Sequence, residues 1–125
     1  MYKIEKIGEN AFYIKVLGTM PPSVAKRFIR DFKENTKNLE NFSSIIDGMD
    51  LIILNIKSFK IILKLLKKNN KKLIKSAYVI GKSPVLNKEA EILLERAKSS
   101  KRKIVENLDE AKKWIGIEDI VFQKD

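Results

Sequence analysis

Short apolar runs typical of β-strands alternate along this chain with stretches of helical periodicity. The first two runs, 2–7 and 12–17, are separated by Gly8-Glu9-Asn10, which favours a turn, so they predict a β-hairpin. Later predicted strands centre on residues 44–47, 77–80 and 103–105, and predicted helices begin near residues 22, 55–58, 84 and 108. The order β-β-α-β-α-β-α-β-α predicts an α/β fold, with a mixed β-sheet, an N-terminal hairpin and four helices mainly on one face.

The length of 125 residues is that of one domain. We expect the domain to span 1–116, because Gly116 ends the last predicted helix. Residues 117–125 would then form a C-terminal tail. Its apolar patch, Ile120-Val121-Phe122, would add a strand or pack on the domain.

Neither cysteine nor histidine occurs in the chain. Their absence excludes disulfides, thiolate metal sites, a cysteine nucleophile and histidine-based catalysis. No constellation of residues identifies an activity, so we expect a protein that is not an enzyme and has no cofactor or bound metal. The longest nearly apolar run, 51–56, is too short to span a bilayer, and residues 1–20 lack the pattern of a signal peptide. These features predict a cytoplasmic protein that does not insert into membranes.

The net charge of +10 is concentrated in one third of the chain. Residues 51–88 contain no Asp or Glu, and their ten lysines leave 16 cations against 16 anions elsewhere. These lysines are Lys57, Lys60, Lys64, Lys67, Lys68, Lys71, Lys72, Lys75, Lys82 and Lys88. Such a segment is typical of a basic face that attracts an acidic protein, RNA or lipid headgroups. The alternative is an ordinary solvated surface, since lysine outnumbers arginine 22 to 4 and nucleic-acid sites favour arginine.

Gly81-Lys82-Ser83 matches the end of a P-loop, but the rest of the motif is missing. Position 76 holds Ser where the motif requires Gly, and Pro84 lacks a backbone N–H for an anion. We therefore expect an ordinary junction between a strand and a helix, with Ser83 as the N-cap. Lys82 would be a candidate base only if it were buried.

Asp47 and Asp50 flank a segment that we expect to be a loop, because Gly48-Met49-Asp50 separates two apolar runs. Two carboxylates without further ligands bind Mg²⁺ or Ca²⁺ poorly, so turn capping is the expected role. Trp114 is expected to anchor the last helix in the core.

Three segments carry a family resemblance. Ser43-Ser44-Ile45-Ile46-Asp47 matches a central strand that ends in Asp, and Asn55-Ile56-Lys57-Ser58-Phe59 occupies the place of an Asp-Ser-Ser-Gly-Leu turn. Residues 103–111 look like a last strand and the start of a last helix. With the order of the elements, they make residues 10–116 resemble the STAS domain (sulphate transporter and anti-sigma factor antagonist). The resemblance implies a binding module whose partner surface lies around the start of the second helix.

In phosphorylatable STAS domains, the first Ser of that turn takes phosphate from a partner kinase. With Asp47 as the anchor, this position is Ile56 and the preceding Asp is Asn55. The resemblance therefore implies that the phosphoacceptor is missing, unless the register slips by two residues and Ser58 replaces it. The partner-binding residues that it implies are Asn55, Ile56, Lys57, Ser58, Lys60 and Lys64.

Two functions of different classes follow. The favoured one is a non-enzymatic protein-interaction module that resembles anti-sigma factor antagonists. We expect its partner to have an acidic surface, because Lys57 and Lys60 place positive charge at the start of the second helix. The alternative is a nucleic-acid-associated protein that uses residues 51–88 as an electrostatic patch. The sequence leaves the partner's identity and the oligomeric state open.

Overall fold

Five strands and four helices make up the described part of the chain. The computed structural model describes residues 1–117, apart from the side chains of residues 53 and 54. The strands are β1 (Tyr2–Gly8), β2 (Ala11–Met20), β3 (Phe42–Leu54), β4 (Leu73–Val79) and β5 (Arg102–Val105). The helices are α1 (Pro22–Thr36), α2 (Ile56–Asn69), α3 (Pro84–Ala97) and α4 (Leu108–Ile115). The predicted order of elements is confirmed, whereas the apolar patch Ile120-Val121-Phe122 of the predicted tail lies outside the described residues.

The five strands form one mixed sheet, as predicted. Their spatial order is β1-β2-β3-β4-β5, with β1 antiparallel to β2 and the other three pairs parallel. Because connections between adjacent parallel strands are right-handed and run in one direction across the sheet, α1, α2 and α3 pack on the same face. α4 follows the last strand and packs on the other face. Three of the four helices in residues 1–117 therefore share a face, which confirms the predicted arrangement.

The two faces of the sheet have separate apolar cores. On the three-helix face, Phe12 and Ile14 of β2 pack with α1 and α2, and Tyr78 of β4 packs with α3. The α1 and α2 contribution to this core includes Phe28, Phe32 and Leu65. On the other face, strand residues pack with Ala111 and Ile115 of α4; they are Tyr13, Ile45, Ala77, Val79 and Val105.

The predicted loop at Gly48-Met49-Asp50 is wrong, because β3 continues through it as one strand of 13 residues. Pairing with β2 passes from Lys15↔Asp47 to Leu17↔Asp50, so β3 has one extra residue at this point. The turn-forming residues are accommodated as a β-bulge, which leaves both flanking apolar runs in the same strand.

Side chains that cap three helices fix where those helices begin. Asn55 accepts a hydrogen bond from the Lys57 amide at 2.8 Å, and Asn107 accepts one from the Glu110 amide at 2.9 Å. Ser83 accepts one from the Leu86 amide at 3.3 Å, so its predicted N-cap role is confirmed. None of the helices within residues 1–117 is long and apolar enough to cross a membrane.

Candidate protein-interaction site at the start of helix α2

The start of α2 lies at the carboxyl end of the parallel strands, directly after β3. Asn55 is in extended conformation, and its side chain caps the helix through the Lys57 amide. Ile56 is therefore the first helical residue, and 75% of its surface is exposed. Single exposed apolar side chains are common on protein surfaces, so the exposure of Ile56 gains significance from its position and its neighbours. It stands where the family resemblance aligns the phosphoacceptor, and further exposed apolar residues lie at the same end of the sheet.

Ser58 lies in the core and not on the surface. Its exposed fraction is 0%, and its hydroxyl donates a hydrogen bond of 2.5 Å to the backbone carbonyl of Met20 at the end of β2. Because the helix begins at Ile56, its third residue turns toward the sheet. The prediction that Ser58 belongs to the partner-binding surface is therefore corrected, and its buried hydroxyl is not accessible as a substitute phosphoacceptor.

The lysines predicted to bind a partner share one exposed stripe of α2. Lys57, Lys60 and Lys64 are spaced three and four residues apart, and all three are exposed. No described carboxylate forms an ion pair with any of them. The stripe continues through Lys67 and Lys68 at the other end of the helix. The positive charge of this stripe is thus available to an external partner.

Other lysines of the basic 51–88 segment lie elsewhere. Lys75 of β4 lies against the Trp114 ring, 4.4 Å from its centroid, on the face that α4 covers. Lys72 donates a hydrogen bond of 3.4 Å to the Thr36 carbonyl at the end of α1. The ten lysines therefore do not form one continuous patch, and the α2 stripe is the densest group on a single element.

Exposed apolar side chains occur at the same end of the sheet as the start of α2. Met49 and Ile52 of β3 are 53% and 70% exposed, and Leu17 of β2 is 37% exposed. Leu17 pairs with Asp50 in the sheet, so Leu17, Met49 and Ile52 lie on adjacent strands, and Ile56 follows β3 as the first residue of α2. We call Leu17, Met49, Ile52 and Ile56 the apolar edge. The sequence analysis missed it because residues 48–50 were interpreted as a loop that separates two apolar runs, so the exposed face of a continuous β3 was not considered.

The two candidate carboxylates do not form a shared cation site. Asp47 is buried, accepts a hydrogen bond of 2.5 Å from the Tyr13 hydroxyl and accepts another of 3.1 Å from the Met49 amide. Asp50 is exposed and lies 3.5 Å from the Lys15 ammonium group. The expected turn capping is not observed as such, because Asp47 binds the Met49 amide within the bulge of β3 and not in a turn. No group of three His, Cys, Asp or Glu residues within 1–117 is arranged to hold a metal. Burial, followed by the hydrogen bond to Asp47, raises the pKa of Tyr13.

The Gly81-Lys82-Ser83 segment has no phosphate loop. Residues up to 79 belong to β4, and Ser83 already caps α3. The Gly81 carbonyl accepts a hydrogen bond of 2.9 Å from the side-chain amide of Asn87, which closes the turn. Lys82 is exposed, so it does not meet the condition of burial that the sequence analysis set for a candidate base.

Trp114 anchors α4, as predicted. It is partly buried in the core on the α4 face, and its indole N–H donates a hydrogen bond of 3.1 Å to the Ser76 carbonyl of β4. Lys75 and Lys103 lie against the ring, 4.4 Å and 5.2 Å from its centroid.

Comparison with known proteins is consistent with this geometry. The structure superposes on an uncharacterized protein of the DUF3478 family from Shewanella loihica PV-4, which has a SpoIIAA-like fold, with a TM-score of 0.70, 16% identity and coverage of 91% of each chain. It also superposes on the anti-sigma factor antagonist SpoIIAA in its unphosphorylated form, with a TM-score of 0.67 and 9% identity over 94% of this chain and 98% of that one. This chain has the SpoIIAA-like fold. The expected STAS-type architecture is thereby confirmed at the level of fold. No family model and no curated protein sequence matches the chain.

Proposed function

We propose that the protein is a non-enzymatic interaction module that binds another protein through the start of α2 and the apolar edge. The observation that carries the proposal is the exposure of Ile56, 75% of whose surface is open beside Lys57 and Lys60. An apolar centre bordered by unpaired cations is typical of protein interfaces. The partner surface would be apolar in the middle and acidic at its rim.

The binding surface consists of Asn55, Ile56, Lys57, Lys60 and Lys64 together with the apolar edge. Since Ile56 has no hydroxyl and the Ser58 hydroxyl is buried, binding here would not be controlled by phosphorylation at the usual turn. Likeness of fold to SpoIIAA, an anti-sigma factor antagonist, supports a protein partner.

A site-specific photo-cross-linking experiment in living cells tests this placement. A benzophenone amino acid at position 56 should capture one discrete protein, and the same probe at exposed Glu34 of α1 should not. Reversal of the charges in Lys57→Glu/Lys60→Glu should abolish the product. The matched control, Lys67→Glu/Lys68→Glu, makes the same charge change at the other end of the helix and should retain it.

The same variants separate the protein-binding proposal from the nucleic-acid alternative. An electrostatic nucleic-acid surface would lose affinity similarly in both double variants, with steep dependence on salt. Anisotropy measurements with a short RNA and a short DNA duplex at two salt concentrations would detect this. Equal cross-linking from positions 34 and 56, or retention of the product in the Lys57→Glu/Lys60→Glu variant, would contradict the proposed site.

A further inference from the structure

A cavity with a volume of about 120 Å³ lies between the sheet and the three helices α1, α2 and α3. Its walls are mainly apolar and include Ile14 and Ile46 from the sheet, Phe32 from α1, Ile62 from α2 and Leu93 from α3. Protein interiors contain few voids larger than a water molecule. We call this space the core cavity.

The core cavity is not imposed by the backbone. Gly48 and Ala90 line it, and both are small residues where larger ones would fill space. A methyl group added to Gly48 would meet its nearest neighbours, Ile80 Cδ1 and the Val79 carbonyl oxygen, at 3.5 Å, which is ordinary van der Waals contact. The chain therefore leaves open a volume that one or two larger side chains would occupy.

Two buried polar atoms without a partner belong to residues that line the core cavity. Within residues 1–117, the buried side-chain polar atoms that lack a hydrogen bond are Glu5 Oε2, Glu89 Oε1 and Arg102 Nε, and the last two are on cavity-lining residues. Leaving a buried donor or acceptor unsatisfied costs about 1–3 kcal/mol, so native proteins rarely do so without a reason.

Arg102 is a buried cation with only neutral hydrogen-bond partners. It is 9% exposed, and its terminal nitrogens donate to the Tyr78 hydroxyl, the Leu66 carbonyl and the Asn70 side chain, at 2.8, 2.9 and 3.2 Å. No described carboxylate forms an ion pair with it. These bonds leave the Nε–H free to donate. Glu89 supplies the complementary group, an acceptor without a donor.

We propose that the core cavity binds a small amphiphile with an apolar body of about six carbon atoms and an uncharged head that both donates and accepts a hydrogen bond, as an alcohol or phenol does. The size follows from comparison with an apolar cavity of about 150 Å³ that holds benzene. The head would accept from the Arg102 Nε–H and donate to Glu89 Oε1. It is uncharged because the cavity already contains one cation and one anion, and a charged head would lose its hydration and meet a like charge.

Nuclear magnetic resonance titration of the ¹⁵N-labelled full chain tests the proposal with phenol and toluene, which have nearly the same size. Both should give saturable shifts of amides around the core cavity, those of Gly48 and Ala90 included. Glu89→Met should lower the affinity for phenol about tenfold relative to that for toluene. Glu91→Met, at an exposed position of the same helix, should leave this ratio unchanged. Hexan-1-ol should bind more tightly than hexanoate.

Filling the core cavity provides the second arm of the test. Ala90→Leu should abolish the shifts from both probes while the spectrum retains the dispersion of a folded protein, and Gly48→Ala serves the same purpose if Ala90→Leu does not fold. Shifts that do not saturate, an unchanged phenol-to-toluene ratio in Glu89→Met, or tighter binding of hexanoate would overturn the proposal. This inference is independent of the proposed protein-binding function, so Lys57→Glu/Lys60→Glu should leave phenol binding unchanged.

Discussion

The guanidinium group of Arg102 on β5 donates a hydrogen bond of 2.9 Å to the backbone carbonyl of Leu66 in the last turn of α2. Carbonyls at the end of a helix lack partners within the helix and carry partial negative charge, so a cation is favourable there. Asn70, the C-cap of α2, completes the link by donating from its side-chain amide to the Ala97 carbonyl at the end of α3, at 2.8 Å. Arg102 and Asn70 thus join the edge strand to the ends of two helices that enclose the core cavity.

Arg102→Lys is expected to lower the free energy of unfolding by about 1–3 kcal/mol, because a single ammonium group cannot reproduce the forked contacts to Tyr78, Leu66 and Asn70. Urea unfolding followed by circular dichroism measures this change. Arg30→Lys, at a side chain that is 75% exposed, is the control and should stay within about 0.5 kcal/mol of the parent protein. Equal stabilities of the two variants would refute the structural role of Arg102.

Acidic substitutions at two nearby positions of α2 should differ greatly in their effect on stability. Ser58→Asp places a charge in a fully buried site and is expected to lower the free energy of unfolding by more than about 3 kcal/mol. Ile56→Asp changes an exposed residue in the first turn of the helix and should shift the free energy of unfolding by no more than about 0.5 kcal/mol. Thermal melting of both variants checks the difference. A Ser58→Asp variant as stable as Ile56→Asp would contradict the burial of Ser58.

The order of the elements could be predicted from sequence because it depends on local signals. Apolar periodicity identified the strands and helices, Ser83 with Pro84 marked the start of α3, and Gly116 marked the end of α4, where its φ is 81°. These signals require no knowledge of distant residues. The arrangement of three helices on one face then followed from the handedness of crossovers.

The errors all concern contacts between residues that are distant in the sequence. The side-chain direction of Ser58 depends on whether α2 begins near Asn55 or three residues later. The Asn55 cap shows that the helix begins early, and the hydrogen bond from Ser58 to Met20 shows that Ser58 then faces the sheet. The bulge at Gly48 exists because β2 pairs along the whole of β3, which the local turn propensity does not reveal. Arg102 gave no signal, since a lone arginine in a polar stretch is typical of the surface.

The hydrogen bond between Tyr13 and Asp47 should make stability depend on alkaline pH. Burial and this bond raise the pKa of Tyr13, so the folded state holds the phenolic proton more tightly than the unfolded state. The resulting stabilisation is complete below the unfolded pKa of about 10 and declines as the pH rises above it. Tyr13→Phe should therefore cost about 1–2 kcal/mol at neutral pH, and the difference from the parent protein should shrink above about pH 10. Urea unfolding of both proteins from neutral pH to above about pH 10 measures the difference in their free energies of unfolding. A difference that stays constant with pH would contradict the raised pKa of Tyr13.

The two charge-reversal variants of α2 are expected to change stability in opposite directions. Lys57→Glu/Lys60→Glu, which should lose the partner, should be more stable than the parent protein, and Lys67→Glu/Lys68→Glu, which should retain the partner, should be less stable. A glutamate at position 57 lies in the first turn of α2, at the positive end of the helix dipole, and should stabilise the helix by about 0.3–1 kcal/mol, with a smaller contribution from position 60 in the second turn. Glutamates at 67 and 68 lie in the last turn, at the negative end, and should destabilise the helix by about 0.3–1 kcal/mol each. Thermal melting at low ionic strength measures both shifts. If Lys57→Glu/Lys60→Glu melts at or above the temperature of the parent protein and yet loses its partner, the loss comes from the surface and not from unfolding. A lower melting temperature for this variant than for Lys67→Glu/Lys68→Glu would contradict the dipole argument, and loss of the cross-link would then require a second test with Lys57→Ala/Lys60→Ala.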